Sequence, residues 1–146
     1  SYSVTGVQTC ALPIYKIVPR IMCDEYISSD SDELDEYKLF CFKGKVRFIQ
    51  HNREINGKRF ANIYSDSWEK INVMYGYPHF ECKNLPENRN EMSEAAEKLA
   101  SPFDFVRVDL YNVDGRIIFS ELTFHPGGGL VEFIPSKYDE DFGRFF

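Results

Sequence analysis

Between residues 37 and 74, apolar and polar positions alternate in short runs broken by turn residues, which is the period-two signature of half-buried strands. YKLFCF (37–42) leads through Lys43-Gly44-Lys45 into VRFIQH (46–51), and Asn56-Gly57 precedes RFANIY (59–64). Asn-Gly between two apolar runs is a strong hairpin signal. A fourth run lies around residues 70–74, after Trp68. The pattern predicts an antiparallel meander. Upstream, residues 15–27 form a strand-like run (Ile17, Val18, Ile21, Met22) that ends in an acidic turn.

A segment rich in Gly, Pro and Asn (75–86) leads to the one clear helical pattern. Asn88 is placed to cap it, with Glu91 three residues on as the capping-box partner. Met92, Ala95, Ala96 and Leu99 supply the apolar stripe, and Pro102 prevents continuation. Residues 105–124 alternate again, as a hairpin. KYDEDFGRFF (137–146) starts a second amphipathic helix through Tyr138, Phe142 and Phe145. The fold class read from this order is α+β: an antiparallel sheet with one main helix and a partial C-terminal helix.

Composition narrows the function classes. The chain has 146 residues, 43% apolar and 27% charged, an ordinary globular balance. Thirteen Phe and nine Tyr favour sheet. Net charge is -6 with Lys and Arg scattered, so no basic stripe points to nucleic acid. No apolar run approaches the roughly 18–20 residues of a transmembrane helix. Cys10, Cys23, Cys41 and Cys82 lack metal or disulfide spacing and read as small core residues of a reducing, cytoplasmic compartment. Asp30 and Asp32 in the acidic run 28–36 lack the central Gly and closing Glu of a calcium loop, so that run reads as a solvated connection.

Residues 1–14, SYSVTGVQTCALPI, lack the positive start and apolar core of a signal peptide. VTGVQTCALPI resembles the translation of a sequencing adapter. The stretch is therefore read as a non-native leader, with a genuine short strand as the other reading.

The hairpin FVRVDLYNVDGRIIFSELTF carries the candidate chemistry. Its first strand puts Val106, Val108 and Leu110 on one face and Phe105, Arg107, Asp109 and Tyr111 on the other. Val113-Asp114-Gly115 fits a three-residue loop with Gly left-handed. In that register Asp109 and Glu121 share a face, flanked by Ile117, Phe119 and Thr123. Paired carboxylates repel unless one takes a proton or a divalent cation neutralises both. Mg²⁺ favours a few carboxylates completed by phosphate oxygens and water. Arg107 is within reach of the same phosphates, and the loop HPGGG (125–129) presents backbone N–H groups without side-chain obstruction. From spacing alone a second reading stands beside this one: surface charges on a wet hairpin face, with Arg107 as their counter-ion.

These residues resemble the closing motif of ATP-grasp enzymes, an Arg-x-Asp strand followed by a Glu-x-Asn strand that ends in Pro-Gly. The chain resembles more closely the TupA-like ATP-grasp family, associated with teichuronopeptide and other cell-surface polymer biosynthesis. The resemblance rests on IVPRIMCDEYI, YKLFCFKGKVRFIQ, Gly76-Tyr77-Pro78, the helix start at 88–92, and the RVDLY and ELTF strands, in order from about residue 15 to residue 142. It implies that residues 15–146 are the C-terminal part of an ATP-grasp domain, truncated on its N-terminal side, with the C-terminus open to the same reading.

The implied roles follow position by position. Asp24, Glu25, Tyr26 and Ile27 would form the hinge that meets adenine. Glu36, or its neighbour Asp35, would hold the ribose. Lys38 and Arg107 would serve the phosphates and the catalytic charge. Asp109, Glu121 and Thr123 would hold Mg²⁺, Thr123 standing where most ATP-grasp enzymes have Asn. The implied reaction is ATP- and Mg²⁺-dependent joining of a carboxylate to an amine through an acyl phosphate, and the fragment is expected to be inactive alone. Alternatives are an ATP-grasp kinase and a non-catalytic β-rich module that binds a glycan or protein. His51 and His79 are assigned to packing or surface roles; His125 is left open for substrate contact.

Overall fold

Three two-residue turns organise the chain. Lys43-Gly44, Asn56-Gly57 and Asp114-Gly115 each have both residues at positive φ, between 51° and 78°. This is type I′ geometry, whose twist matches that of the strands it joins. The computed structural model describes residues 34–146 together with Val18, Ile21, Cys23 and Ile27. The strands are β1 (Glu36–Phe42), β2 (Lys45–Ile55), β3 (Lys58–Ser65), β4 (Lys70–Ile71) and β5 (Met74–Tyr75), followed by helix α1 (Arg89–Ala100). Then come β6 (Phe105–Val113), β7 (Arg116–Thr123), a 3₁₀ turn (Pro126–Gly129), β8 (Phe133–Ile134) and α2 (Lys137–Gly143). The larger sheet runs β4-β3-β2-β1-β6-β7, with every pairing antiparallel, and β5 pairs with β8 in a small second sheet.

The α+β expectation holds, and several local expectations change. The fourth run divides: Lys70 and Ile71 extend the main sheet, while Met74 leaves it to pair with Ile134. Of the strand-like run 15–27, only Val18, Ile21, Cys23 and Ile27 are described; none lies in a strand, and Val18 and Ile21 are exposed. The rest of that run, with residues 1–14 and the candidate calcium residues Asp30 and Asp32, lies outside the described residues.

Helix α1 packs on one face of the sheet. Its buried side chains are Met92, Ala96 and Ala100, one turn apart, set against Leu39, Ile49, Val106, Val108 and Leu110. Leu99, expected in the stripe, is 39% exposed, because the contact line follows the i, i+4, i+8 row. Asn88 occupies the N-cap position without a side-chain cap bond. Its amide is used across the fold instead: Nδ2 donates to the Gly115 carbonyl (2.8 Å) and Oδ1 accepts from Asn112 Nδ2 (2.7 Å). The helix start is thus pinned to the β6–β7 turn.

The other face of the sheet is divided along its strands. On β1 the outward positions run Glu36, Lys38, Phe40, Phe42, charged and then aromatic. Phe40, Phe42 and Phe48 are covered by β5, β8 and α2, with Phe142 stacked on Phe48 at 4.2 Å. The charged half is left as the wall of a cleft of about 1020 Å³.

Candidate functional site

Strand pairing aligns the charged half. Lys38 on β1 lies opposite Asp109 on β6, which lies opposite Glu121 on β7; Thr123 lies opposite Arg107. The Asp109 side chain is fully buried. Arg107 grips it with two parallel bonds, Nε to Oδ1 and Nη2 to Oδ2, both 2.7 Å. Lys38 Nζ donates to Asp109 Oδ2 at 2.5 Å and to Glu36 Oε1 at 2.7 Å. Three N–H donors on two oxygens is an arrangement that only the ionised carboxylate satisfies in full. Burial nevertheless pushes the Asp109 pKa above the ordinary carboxylate value, against the pull of Arg107 and Lys38. Glu121 is different. It is 58% exposed, and its pKa is lowered first by the Thr123 hydroxyl, which donates to Oε1 at 2.8 Å, and then by Arg107. Arg107 Nη2 reaches Glu121 Oε1 at 3.2 Å and Thr123 Oγ1 at 2.9 Å, closing a ring of three side chains to which Asp109 is joined through Arg107.

How Asp109 and Glu121 come to share a face corrects the sequence reading. The turn has two residues, not three: Val113 pairs with Arg116, and both Asp114 and Gly115 are left-handed. Continued unbroken, that register would set Ser120 against Asp109 and turn Glu121 toward the helix. A bulge intervenes. Leu110 pairs with Phe119 and Asp109 with Glu121, so Ser120 is the extra residue. The shorter turn also moves two predicted flanking residues, which lie before the bulge. Ile117 pairs with Asn112 and packs in the helix-side core, and Phe119 pairs with Leu110, so both belong to the opposite face.

The cleft in front of this wall carries Lys38, Arg59 and Arg107 beside Glu36 and Glu54, in a chain of net charge -6; Arg53 borders it too, but its guanidinium is turned to Asp35. Glu36 and Asn52 are neighbours at its β1–β2 side, with Asn52 Nδ2 donating to Glu36 Oε2 at 3.3 Å. Asn52 Oδ1 is enclosed and has no hydrogen-bond partner among the described residues. Gly127 borders the cleft at φ 57°, and a Cβ there would come within 2.4 Å of Val131 Cγ2, so the turn requires glycine. The HPGGG segment is a hydrogen-bonded turn: Gly128 N–H donates to the His125 carbonyl and Leu130 N–H to that of Gly127. Those two N–H groups are thereby committed internally.

Of the sequence-predicted site residues, Glu36, Lys38, Arg107, Asp109, Glu121 and Thr123 are brought together. Ile27 is half-buried and outside any strand or helix, and Asp24, Glu25 and Tyr26 lie outside the described residues. Asp35 points away from a ribose role. Its Oδ1 and Oδ2 take Arg53 Nε and Nη2, each at 2.6 Å, and Oδ1 lies 3.0 Å from His51 Nε2. His51 is fully buried and stacked on Tyr37, as expected of a packing histidine, and His79 Nδ1 lies 3.1 Å from the Ala61 carbonyl. His125 is exposed beside Phe124 and Phe105. Cys41 is a core thiol as read; Cys82 is half-buried against His51 and is not. Sequence reasoning missed Asn52 and Arg59 in the cleft, and the grip of Arg53 on Asp35. Asn52 was legible, since Gln50 and Asn52 alternate onto the face of Lys38 and Glu36 once β1 and β2 pair.

The family model described as TupA-like ATPgrasp matches residues 10–146 of this chain. No curated protein and no solved structure matches it. Among the described residues, no helix is long and apolar enough to cross a membrane.

Proposed function

The chain belongs to the TupA-like ATP-grasp family, and from that premise we propose that the charged half of its sheet is the phosphate- and metal-facing wall of a Mg-ATP site. The reaction proposed is cytoplasmic ligation of a carboxylate to an amine in cell-surface polymer synthesis, with ATP activating the carboxylate as an acyl phosphate. One observation carries the reading: a fully buried Asp109 held by Lys38 and Arg107 on the wall of an open cleft. A solvated surface hairpin would not bury its carboxylate. A cleft of about 1020 Å³ is also of the size that takes a nucleotide-sized ligand.

The residues present fit a magnesium ion completed by phosphate, not an all-protein cage. No group of three or more acidic, His or Cys ligands exists among the described residues. Two carboxylates on adjacent strands and a Thr hydroxyl are all hard oxygen donors, as Mg²⁺ requires. Glu121 is the open one, since only its Oε1 is engaged by Arg107 and Thr123. Asp109 shares its oxygens with Lys38 and Arg107, whose charges are available to phosphate oxygens once a cation takes their place. When bound, the metal would neutralise charge on the transferring phosphoryl group. The chain's own residues do the positioning. Lys38 and Arg107 pull phosphate oxygens against the sheet, and Thr123 fixes the Glu121 carboxylate. Glu36 and the unpartnered Asn52 Oδ1 offer acceptors to the ribose hydroxyls.

Titration calorimetry with Mg-ATP tests the assignment. Asp109→Asn and Glu121→Gln are each expected to weaken Mg-dependent binding by at least about tenfold, the scale of losing one charge-assisted contact. Unchanged affinity in both would remove the metal assignment. Replacing the amine with hydroxylamine traps an acyl phosphate as hydroxamate; a phosphorylated product without hydroxamate would make the reaction a kinase's.

A further inference from the structure

A second polar cluster lies on the helix side of the sheet, and the proposed ATP chemistry does not use it. Cys82, His51 and Asp35 come from three separate segments. His51 is fully buried, its ring stacked on Tyr37 at 4.3 Å and meeting the Phe80 edge at 5.0 Å. One ring nitrogen, Nδ1, faces Cys82 Sγ at 4.0 Å; the other, Nε2, faces Asp35 Oδ1 at 3.0 Å, off the line of a good hydrogen bond. Asp35 is gripped by Arg53, whose guanidinium lies over Phe80 at 5.2 Å. Tyr64 and Tyr37 are further titratable groups that bear on the thiol.

The charges decide what this arrangement favours. Asp35 and Arg53 cancel. A neutral imidazole donates from one nitrogen only, whereas an imidazolium donates to both acceptors that face it. Moving the thiol proton to His51 therefore creates a second cancelling pair, Cys82 thiolate and His51 imidazolium, and leaves no net charge in the cluster. At 4.0 Å the sulfur–nitrogen contact is long for a hydrogen bond, but the Coulomb attraction of an ion pair persists at that distance. The protonated thiol has its own alternative, donating to the Asn84 carbonyl at 3.3 Å.

We propose that Cys82 is a reactive thiol, activated by the His51–Asp35 relay, and that it is a modification site for small electrophiles, peroxides above all. The thiolate sulfur attacks one peroxide oxygen; the S–O bond forms as the O–O bond breaks. Sulfur is oxidised by two electrons to a sulfenic acid, and the departing hydroxide takes the His51 proton and leaves as water. Cys82 is half-buried, which admits a reagent of that size. The His51 contact holds the Cys82 pKa below the ordinary thiol value. Burial would lower that of His51, but Asp35 and Cys82 raise it. Cys41 shows the contrast within one molecule: burial without a cation pushes its thiol up to about 12.

The test is alkylation of the whole protein by iodoacetamide across pH 5–9, with each cysteine peptide quantified by mass spectrometry. Exposed Cys23 serves as reference and buried Cys41 as the inert control. At pH 6.5 Cys82 is expected to label about tenfold faster than Cys23, with a midpoint below the usual thiol value of about 8.5. Asp35→Asn should move that midpoint upward without changing Cys23. Hydrogen peroxide followed by dimedone should tag Cys82. A Cys82 rate equal to or below that of Cys23 at every pH overturns the proposal, whether or not the variant folds. A midpoint unmoved in folded Asp35→Asn, or no dimedone adduct, does the same. None of these outcomes depends on ATP.

Discussion

Asp35 and Asp109 are the same chemical group in two environments, and their pKa values move in opposite directions. Asp109 is fully buried, and burial outweighs two cations to raise it. Asp35 keeps 21% of its side chain exposed; burial pulls upward there too, but His51 and Arg53 win and hold it at about 2, against a reference of 3.8. A carboxylate depressed on folding stabilises the fold above its unfolded pKa, and that contribution is lost as pH falls through its folded pKa. The shift from 3.8 to about 2 corresponds to about 2 kcal/mol, lost between roughly pH 4 and pH 2. Asp35→Asn should therefore lower stability by about that amount at neutral pH. Variant and wild type should converge at pH 2. Urea unfolding at both pH values checks this, and a gap that persists at pH 2 would show that packing, not charge, is lost.

At the scale of the strand pair, position depends on parity. A two-residue turn makes paired numbers sum to an odd value, so Asp109 and Glu121, whose sum is even, meet only because Ser120 bulges out between them. The same device operates in the first hairpin. There Cys41 pairs with Val46 near the turn and Phe40 with Phe48 beyond it, so Arg47 is the extra residue and Val46 stays in the core. Deleting Ser120 removes the bulge yet still sets Asp109 against Glu121, so Mg-ATP affinity should stay within about threefold of wild type. Inserting an alanine between Ser120 and Glu121 turns the carboxylate toward the helix-side core, where an unpaired charge costs about 3–5 kcal/mol. That variant should lose binding and stability together in calorimetry and melting; retention of both would remove the bulge from the account. The hairpins and the main helix were legible because alternation and Asn-Gly turns are local signals. Arg107, Asp109 and Glu121 were read from the hairpin, though through a turn one residue too long, and Glu36, Lys38 and Thr123 came as site residues from the family resemblance. The bulges, the cross-fold use of Asn88 and the pairing of β5 with β8 were not legible. They are decided by partners distant in sequence, such as Asn88 and Gly115, 27 residues apart. The Cys82–His51–Asp35 relay was hidden for the same reason, and a cysteine in sequence carries no mark of what it will touch.

Across the whole molecule, one sheet face does two jobs, and Phe40 stands on the seam. Its ring stacks on Phe48 at 4.2 Å on the aromatic side, while the Arg107 guanidinium lies 6.0 Å above it on the charged side. The C-terminal helix covers the aromatic half through Phe142, which stacks on Phe48 and meets Phe133 edge-on at 5.1 Å. Removing that cover tests whether the halves are independent. Phe142→Ala deletes a buried ring and should cost about 3–5 kcal/mol, a large share of a typical domain's stability. The ladder that sets Lys38 against Asp109 and Asp109 against Glu121 lies on the other half and is made by backbone pairing. Mg-ATP affinity of the folded fraction should therefore change by less than about threefold, even as the melting temperature falls. Melting curves recorded with and without Mg-ATP separate the two effects. A drop in nucleotide affinity beyond the loss of folded protein would mean that the aromatic half helps to hold Arg107 in place through Phe40, and that the two halves act as one site.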